Sequence, residues 1–448
     1  MLRHGVGCVA RRVSPTTRLR LSLAGTDRAL STTTTLSSSS VPSPPQQPQQ
    51  QLVYMWGTDK AGASILKNPN DLDTKRFDVP VQIDDVASRF VDNNNNHNNH
   101  ITIDHVVCGP TDTAWILTDG RVWVHGENQS GHLGVGHRNV VPQPVPLVWP
   151  DPDTAPRIAS VALGASAAAW IDTDGDLYTT GYGGSAFAGR GALGHGPDHD
   201  GRYVLQPTLV TSLVEDGVYA RQAQVGEAHL TVLTTEGEVL TAGAGSYGRL
   251  GNFETIDQLF LEPVEILTSG VTQIAGGKSF TLALHEDGVL YGWGRNHKGQ
   301  LGTGLGLAVD MYAMQAVPEP IEGDELRHRV VTQVAAGHSH ATCLTESGEV
   351  FYWGDSVYLE PTRVDALLGV RIVELACGEH YTLCRDEHGK LYSFGKGKTG
   401  VLGQGGAVKQ ANQAAHLEAL DGVSVTAISA GWKHAACLAT NSTPTTIQ

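Results

Sequence analysis

Histidines, cysteines and one glycine-lysine-threonine run are the side chains here whose type and spacing invite a chemical reading. His229, His340 and His434 each stand three residues after a glycine (Gly226, Gly337, Gly431), and imidazole is the commonest general acid or base. The same place after Gly109, Gly164, Gly277 and Gly378 holds Asp112, Ala167, Phe280 and Tyr381. Proton transfer therefore cannot be the reason for the position, and packed or hydrogen-bonded structural histidines are expected. Cys108 and Cys377 precede equivalent glycines, and Cys343 and Cys437 lie in similar apolar runs. With no CxxC pair there is neither a zinc signature nor a disulfide framework, so these thiols read as small buried groups in a reducing compartment. Residues 395–400 (GKGKTG) contain Gly397, Lys398 and Thr399, but a phosphate-cradling loop needs a glycine where Tyr392 stands. No convergent acid, base, nucleophile or metal ligands emerge. The expectation is a protein that is not an enzyme and has no metal or cofactor.

What positions these residues is a grid of glycines. After Gly109, Gly164, Gly226, Gly277, Gly337 and Gly378 a second glycine follows at 11 residues (Gly120, Gly175, Gly237, Gly288, Gly348, Gly389). A third follows at 17 (Gly126, Gly181, Gly243, Gly294, Gly354, Gly395). A register that never slips is an internal repeat. Between the first and second glycines run alternating stretches such as LTVLTTE, then a two-residue turn such as Asp119-Gly120, then a strand such as VWVHG. Asp-Gly between two such runs is a strong hairpin signal, because the turn requires positive φ. Proline-containing segments at residues 144–147, 207–210, 263–266 and 361–364 accompany a further strand. Four strands every 41 to 62 residues mean propeller blades. The last unit (residues 427–439) lacks its outgoing strand, whereas the first patterned segment, residues 52–57 (LVYMWG), is an outgoing strand without a unit. Joined, they close the ring without an open sheet edge. The expected fold is all-β: a seven-bladed β-propeller of four-stranded antiparallel blades, closed by the N-terminal strand on the C-terminal strands.

The termini read differently. Residues 1–50 hold six arginines, no lysine and one acid, Asp27, with apolar residues spaced among the arginines. That composition fits an amphipathic mitochondrial presequence over residues 1–30; a basic tail for DNA or anionic lipid is the alternative. Residues 31–51 are Ser, Thr, Pro and Gln-rich and are expected as a disordered linker, with residues 92–100 (DNNNNHNNH) as a surface loop and 441–448 as a tail. The propeller is expected over 52–440. Beyond residue 50 the chain carries 25 basic and 45 acidic side chains. This acidity argues against DNA or broad phosphate-backbone binding and leaves local or indirect RNA contact. No apolar run is long enough for a membrane span, so any membrane association would be peripheral, at the inner membrane.

Residues 273–302 (QIAGGKSFTLALHEDGVLYGWGRNHKGQLG) and 334–354 resemble repeats of the regulator-of-chromosome-condensation family, and the likeness runs from Leu52 to Ala439. With the presequence, the mitochondrial branch of that family fits best. The resemblance implies a binding platform whose relatives serve as exchange factors for small GTPases, ubiquitin-ligase modules, a plant light receptor, or organellar factors in ribosome assembly, RNA metabolism and fusion-GTPase control. Only one GWxH run occurs, Gly431 to His434, which argues against light sensing. Departures from the repeat mark candidate partner sites. Gly181 to Gly194 spans 13 positions where other units take eight. In the family's chromatin-bound exchange factor a wedge leaves a comparable place, which would make Phe187 and Arg190, above Tyr182, its tip. In the unit from Gly337 the usual GxLG closure is missing, and Asp355, Ser356, Val357 and Tyr358 follow Gly354 directly. The charged connection of residues 319–329, with Arg327 and Arg329, is expected to join that trimmed unit in a partner site. Partners are expected to be proteins: ribosome-assembly or RNA-modifying factors in the mitochondrial matrix, or alternatively a fusion-type GTPase undergoing nucleotide exchange.

Overall fold

Seven four-stranded antiparallel sheets form in the computed structural model, which describes residues 50–59, 65, 75–84, 90, 102–185, 189–304 and 313–442. Blade 1 is composite: Val423–Ala430 innermost, then His434–Asn441, Gln51–Asp59 and Lys75–Gln82. Blade 2 runs Ile103–Cys108, Asp112–Leu117, Val122–Gly126, Val141–Pro146. Blade 3 runs Ile158–Leu163, Ala167–Asp172, Leu177–Tyr182, Tyr203–Leu209. Blade 4 comprises Ala220–Val225, His229–Thr234, Val239–Gly243 and Gln258–Pro263. Blade 5 comprises Val271–Gly276, Phe280–His285, Leu290–Arg295 and Met314–Pro320. Blade 6 follows with Val331–Ala336, His340–Thr345, Val350–Gly354 and Tyr358–Arg363, and blade 7 with Ile372–Cys377, Tyr381–Asp386, Leu391–Lys396 and Gln410–His416.

The ring closes as the sequence predicts, with Gln51 through Gly57 paired in register to Thr440 through His434. The N-terminal share of blade 1 is larger than expected, because Lys75–Gln82 adds its outermost strand. Its first strand begins at Gln51 and its last ends at Asn441, one residue outside the expected propeller bounds on each side. The presequence, the Asn/His stretch, Phe187 and the tail from residue 443 lie outside the described residues.

The middle strands are packed on both faces by neighbouring blades, so their alternation gives way to continuous burial, as in Asp112–Leu117 and His340–Thr345. Outer strands are half exposed and carry the prolines (Pro144, Pro207, Pro263, Pro361), which an edge tolerates because its outward N–H needs no partner. Two constraints explain the glycine grid. Gly126 holds φ +119°, and a Cβ there would meet the Cα of Asp112 at 2.5 Å. Gly431 lies against the Gly109 carbonyl across the channel mouth, where blades 1 and 2 meet.

Blades are stitched by repeated polar links. Gln222 exchanges two hydrogen bonds with the Ile274 backbone of the next blade, Gln273 accepts from Val334, and Gln333 and Glu374 continue the series to Leu375 and Ile428. Trp293, Trp353 and Trp56 donate from Nε1 to the carbonyls of Arg249, Gln300 and Val401, each in the preceding blade.

Candidate functional site

The repeating histidines are structural. His434 Nε2 lies 2.8 Å from Thr113 Oγ1 of the next blade, and His229 and His340 stand 3.4 Å from Thr281 and Thr382. Tyr381 fills the same position by donating to the Gly431 and His434 carbonyls. Burial lowers the His229 pKa to about 3 and those of His340 and His434 to about 4, so all three are neutral at ordinary pH. Burial likewise pushes the Cys108 thiol up to about 12 and Cys377 to about 11, and both are free. Neither thiol forms a nucleophilic thiolate.

The ring has two faces. One carries the two-residue hairpin turns; the other carries the ring glycines and the ends of the third strands, since His340 pairs with Gly354 and Ala167 with Gly181. On the glycine face the channel mouth is a cavity of about 200 Å³ lined by Pro110, Ala165, Lys278, His338 and Trp432. Lys278 pairs with Glu227 at 3.0 Å, and Lys433 with Glu379 at 3.1 Å.

The extra residues of blade 3 form a small hairpin on this face, with Gly184 opposite Arg190 and Ser185 opposite Gly189. Asp257 anchors it by accepting from the Arg190 N–H at 2.9 Å, and the Arg190 guanidinium lies 3.2 Å from Asp200. At its base Tyr182 stacks on Tyr203 at 4.8 Å, and Arg138 covers the other side of Tyr203 at 3.6 Å. Beside it the blade 4 connection exposes Phe253 (59%) and Ile256 (66%), and the outer strand that follows exposes Phe260 (45%). That apolar group was not singled out in the sequence, because the spacing of Phe253, Ile256 and Phe260 does not follow the period-2 alternation by which the blade strands were recognised.

The second departure opens a cleft of about 560 Å³ between blades 6 and 7. Where other blades carry a closing loop, the chain turns at once, with Asp355 at φ +51° and Ser356 at φ +61°. Asp355 is nearly buried (side chain 3% exposed), and Lys396 Nζ at 2.8 Å, His380 Nδ1 at 3.2 Å and Lys298 Nζ at 3.8 Å converge on its carboxylate. Burial alone would raise this carboxyl's pKa, but the hydrogen bonds and charges of His380 and Lys396 outweigh it and hold the group below the ordinary carboxylate range. Tyr358 lines the same cleft with Tyr352, Phe394 and residues 410–413.

The structure thus places Tyr182 and Arg190 in blade 3 and Asp355 and Tyr358 in blade 6 on the same glycine face, three blades apart. Arg327 and Arg329 are placed apart from them, on the hairpin-turn face. Arg329 pairs with Glu349 at 2.9 Å beside the Ser347-Gly348 turn, and Arg327 is exposed in the connection at that end. Lys396, His380 and Phe394 line the cleft, Lys298 approaches Asp355 from blade 5, and sequence reading missed all four. Phe394 alone left a sign, standing where three other blades have Trp before the third-strand glycine.

The RCC1-like domain profile matches residues 52–437. The chain belongs to the RCC1-like domain family. It is similar to the Ultraviolet-B receptor UVR8 of Arabidopsis thaliana, 29% identical over 345 residues, with 73% of each chain covered. RUG3, a mitochondrial RCC1 domain-containing protein of the same plant, is also 29% identical, over 356 residues, covering 73% of this chain and 74% of RUG3. The E3 ubiquitin-protein ligase HERC2 of Homo sapiens is 32% identical over 280 residues, 60% of this chain, and the match spans only 5% of HERC2. Among solved structures, Prp20p of Saccharomyces cerevisiae superposes with a TM-score of 0.72 at 19% identity, covering 89% of this RCC1-like chain and 93% of Prp20p. Human WBSCR16 gives 0.70 at 20% identity, covering 88% and 100%. These two likenesses establish the fold.

Proposed function

We propose that this RCC1-like propeller is a mitochondrial scaffold that binds protein partners through its glycine face, in ribosome assembly or RNA metabolism. The observation that carries the reading is that the blade 3 hairpin, with exposed Phe253, Ile256 and Phe260 beside it, and the Asp355 end of the blade 6 cleft lie on one face. A ring needs only its consensus to stand, so side chains outside it are available for recognition, and exposed apolar groups beside charged ones are the usual makings of an interface. The arginine-rich, acid-poor first fifty residues and the likeness to mitochondrial RUG3 support the compartment. A matrix location, peripheral to the inner membrane or free of it, follows from that reading; among the described residues no helix is long and apolar enough to cross a membrane. Acidity beyond residue 50 points to protein partners, with RNA contact local or indirect.

The test is affinity capture from mitochondrial matrix extract with the full chain and with a Phe253→Asp/Ile256→Asp variant. Ribosomal or RNA-modifying proteins should be captured by the first and lost with the second. Removal of residues 1–50 should abolish import, and a chain still imported would sink the compartment. Nucleotide exchange on an organellar fusion-type GTPase is the second reading, favoured by the hairpin, whose Arg190 side chain is half exposed. The structure of Prp20p was described with its binding to Gsp1p and histones, which makes a GTPase partner worth testing. In that case the chain should speed release of labelled GDP, and Phe187→Ala with Arg190→Ala should remove the acceleration.

A further inference from the structure

Blade junctions in this ring are sealed by a leucine. The closing loop after the third strand presents Leu133, Leu193, Leu250, Leu301 and Leu402 in blades 2, 3, 4, 5 and 7, each 0–1% exposed. Leu301 packs with Trp353 of the following blade, Leu402 with Trp56, and Leu133 with Trp170. The carbonyl just before that leucine receives the next blade's Trp Nε1–H at three of these junctions, and the Thr180 hydroxyl at a fourth. Blade 6 has no such loop, and its partner position in blade 7 is Phe394, which has no N–H to satisfy. Plug and donor are both missing, and the apolar cluster between blades 6 and 7 contains Tyr352 and Phe394 but no closure leucine. The gap is therefore self-consistent in one respect: Phe394 leaves no indole N–H that the missing loop would have to accept.

Charge adds a second requirement. At the channel mouth Lys278 and Lys433 each have a carboxylate of their own. At the cleft Lys298, Lys396 and His380 converge on the single carboxylate of Asp355. Two ammonium groups against one carboxylate leave the Asp355 end of the cleft net positive, while at its other end Arg363 and Asp365 pair with each other.

We infer that the junction between blades 6 and 7 is completed by a protein partner, which inserts a leucine carried on a tight turn next to an acidic residue, in the place that the chain's own closing loop takes elsewhere. The inference rests on the glycine-face scaffold reading and names what that face takes. Leucine burial supplies affinity, and the ammonium groups of Lys298 and Lys396 select the acidic neighbour.

The probe is a fluorescently labelled, disulfide-cyclised peptide with Gly-Glu-Leu-Gly at its turn, titrated into the full chain and followed by anisotropy. Saturable binding is expected, about tenfold or more weaker with Ala for Leu, from the transfer energy of a buried leucine, and weaker again with Lys for Glu. Replacing residues 356–357 with the blade 5 closing segment, residues 296–302, leaves Asp355 in place and should refill the cleft and abolish binding while melting as the parent does. Should that graft fail to fold, Lys396→Ala, which removes the more exposed of the two ammonium groups, should weaken the preference for Glu over Lys. No saturable binding at millimolar peptide, equal binding of the Leu and Ala peptides, or indifference to both variants overturns the inference. Concentration-dependent dimers in sedimentation that the graft abolishes would put a second copy in the cleft and overturn it too. If the full chain still captures matrix proteins in any of these cases, the scaffold reading stands and only the cleft's occupant is wrong.

Discussion

A buried imidazole is the clearest case of a residue whose chemistry is suppressed by the fold. His229, His340 and His434 are held neutral by burial, with pKa values lowered to about 3, 4 and 4 from the ordinary 6.5. The unfolded chain takes up protons below about pH 6.5 that the folded chain refuses until about pH 4. Stability from these groups is therefore full above pH 6.5 and is lost as pH falls towards 4, on the order of 3 kcal/mol for a group shifted as far as His434. Urea midpoints measured from pH 7.5 to 4.5 should fall steadily, and His434→Phe, the residue blade 5 uses at this place, should make the slope shallower. Asp355 works in the opposite sense to its burial: its partners keep it ionised, so Asp355→Ala strips three basic groups of a common acceptor. A loss of about 1–3 kcal/mol in chemical denaturation at pH 7 is expected, as for hydrogen bonds to a charged group. An unchanged midpoint would mean that solvent satisfies Lys298, Lys396 and His380 as well as the carboxylate does.

At the scale of the element, the tryptophan before the third-strand glycine ties a blade to the closing loop of its predecessor. Trp353→Phe keeps the ring and removes the donor, leaving the Gln300 carbonyl unpaired in a buried place, and should cost about 1–3 kcal/mol. A cost within error of zero would show that the packing with Leu301, and not the hydrogen bond, holds this junction. The same element shows how far sequence carries. The glycine grid was legible because positive φ and backbone contact leave no substitute for glycine, so the constraint is written in residue type. Ring closure was legible from residues 52–57 for a similar reason, a strand pattern with no unit of its own. Lys75–Gln82 was not, since an outermost strand packs on one side only and its proline and charges read as loop. The missing closure after Gly354 could be read directly, but its consequence could not. His380 and Lys396 come from the next blade, and Lys298 from the previous one, and only the register of three sheets brings them to Asp355. Arg327 and Arg329 lie close to Asp355 along the chain yet on the other face, because the three intervening strands, Val331–Ala336, His340–Thr345 and Val350–Gly354, cross the ring an odd number of times.

For the whole molecule, the composite blade means that neither terminus is a free end of the sheet system. Gln51 pairs with Thr440, so the first and last strands hold each other by a full antiparallel ladder. Opening the ring there exposes the edge of His434–Asn441, an apolar strand buried through most of its length, and an exposed apolar edge is a template for aggregation. Deletion through Asp59 should therefore yield a chain that fails to melt cooperatively and sediments as aggregate. A circular permutant separates the roles of connectivity and closure. With residues 51 and 441 joined by a short Gly/Ser linker and new termini placed between the exposed turn residues Glu346 and Ser347, every strand pairing is retained. Only the site of the chain break moves, from between two strands of blade 1 to a hairpin turn of blade 6. If closure by pairing is what the ring requires, the permutant should remain monomeric and melt within a few degrees of the parent, in line with the tolerance of loop tips to new termini. If instead it aggregates like the deletion, the order in which the blades form matters as much as their final contacts, and the composite blade is a folding device as well as a clasp.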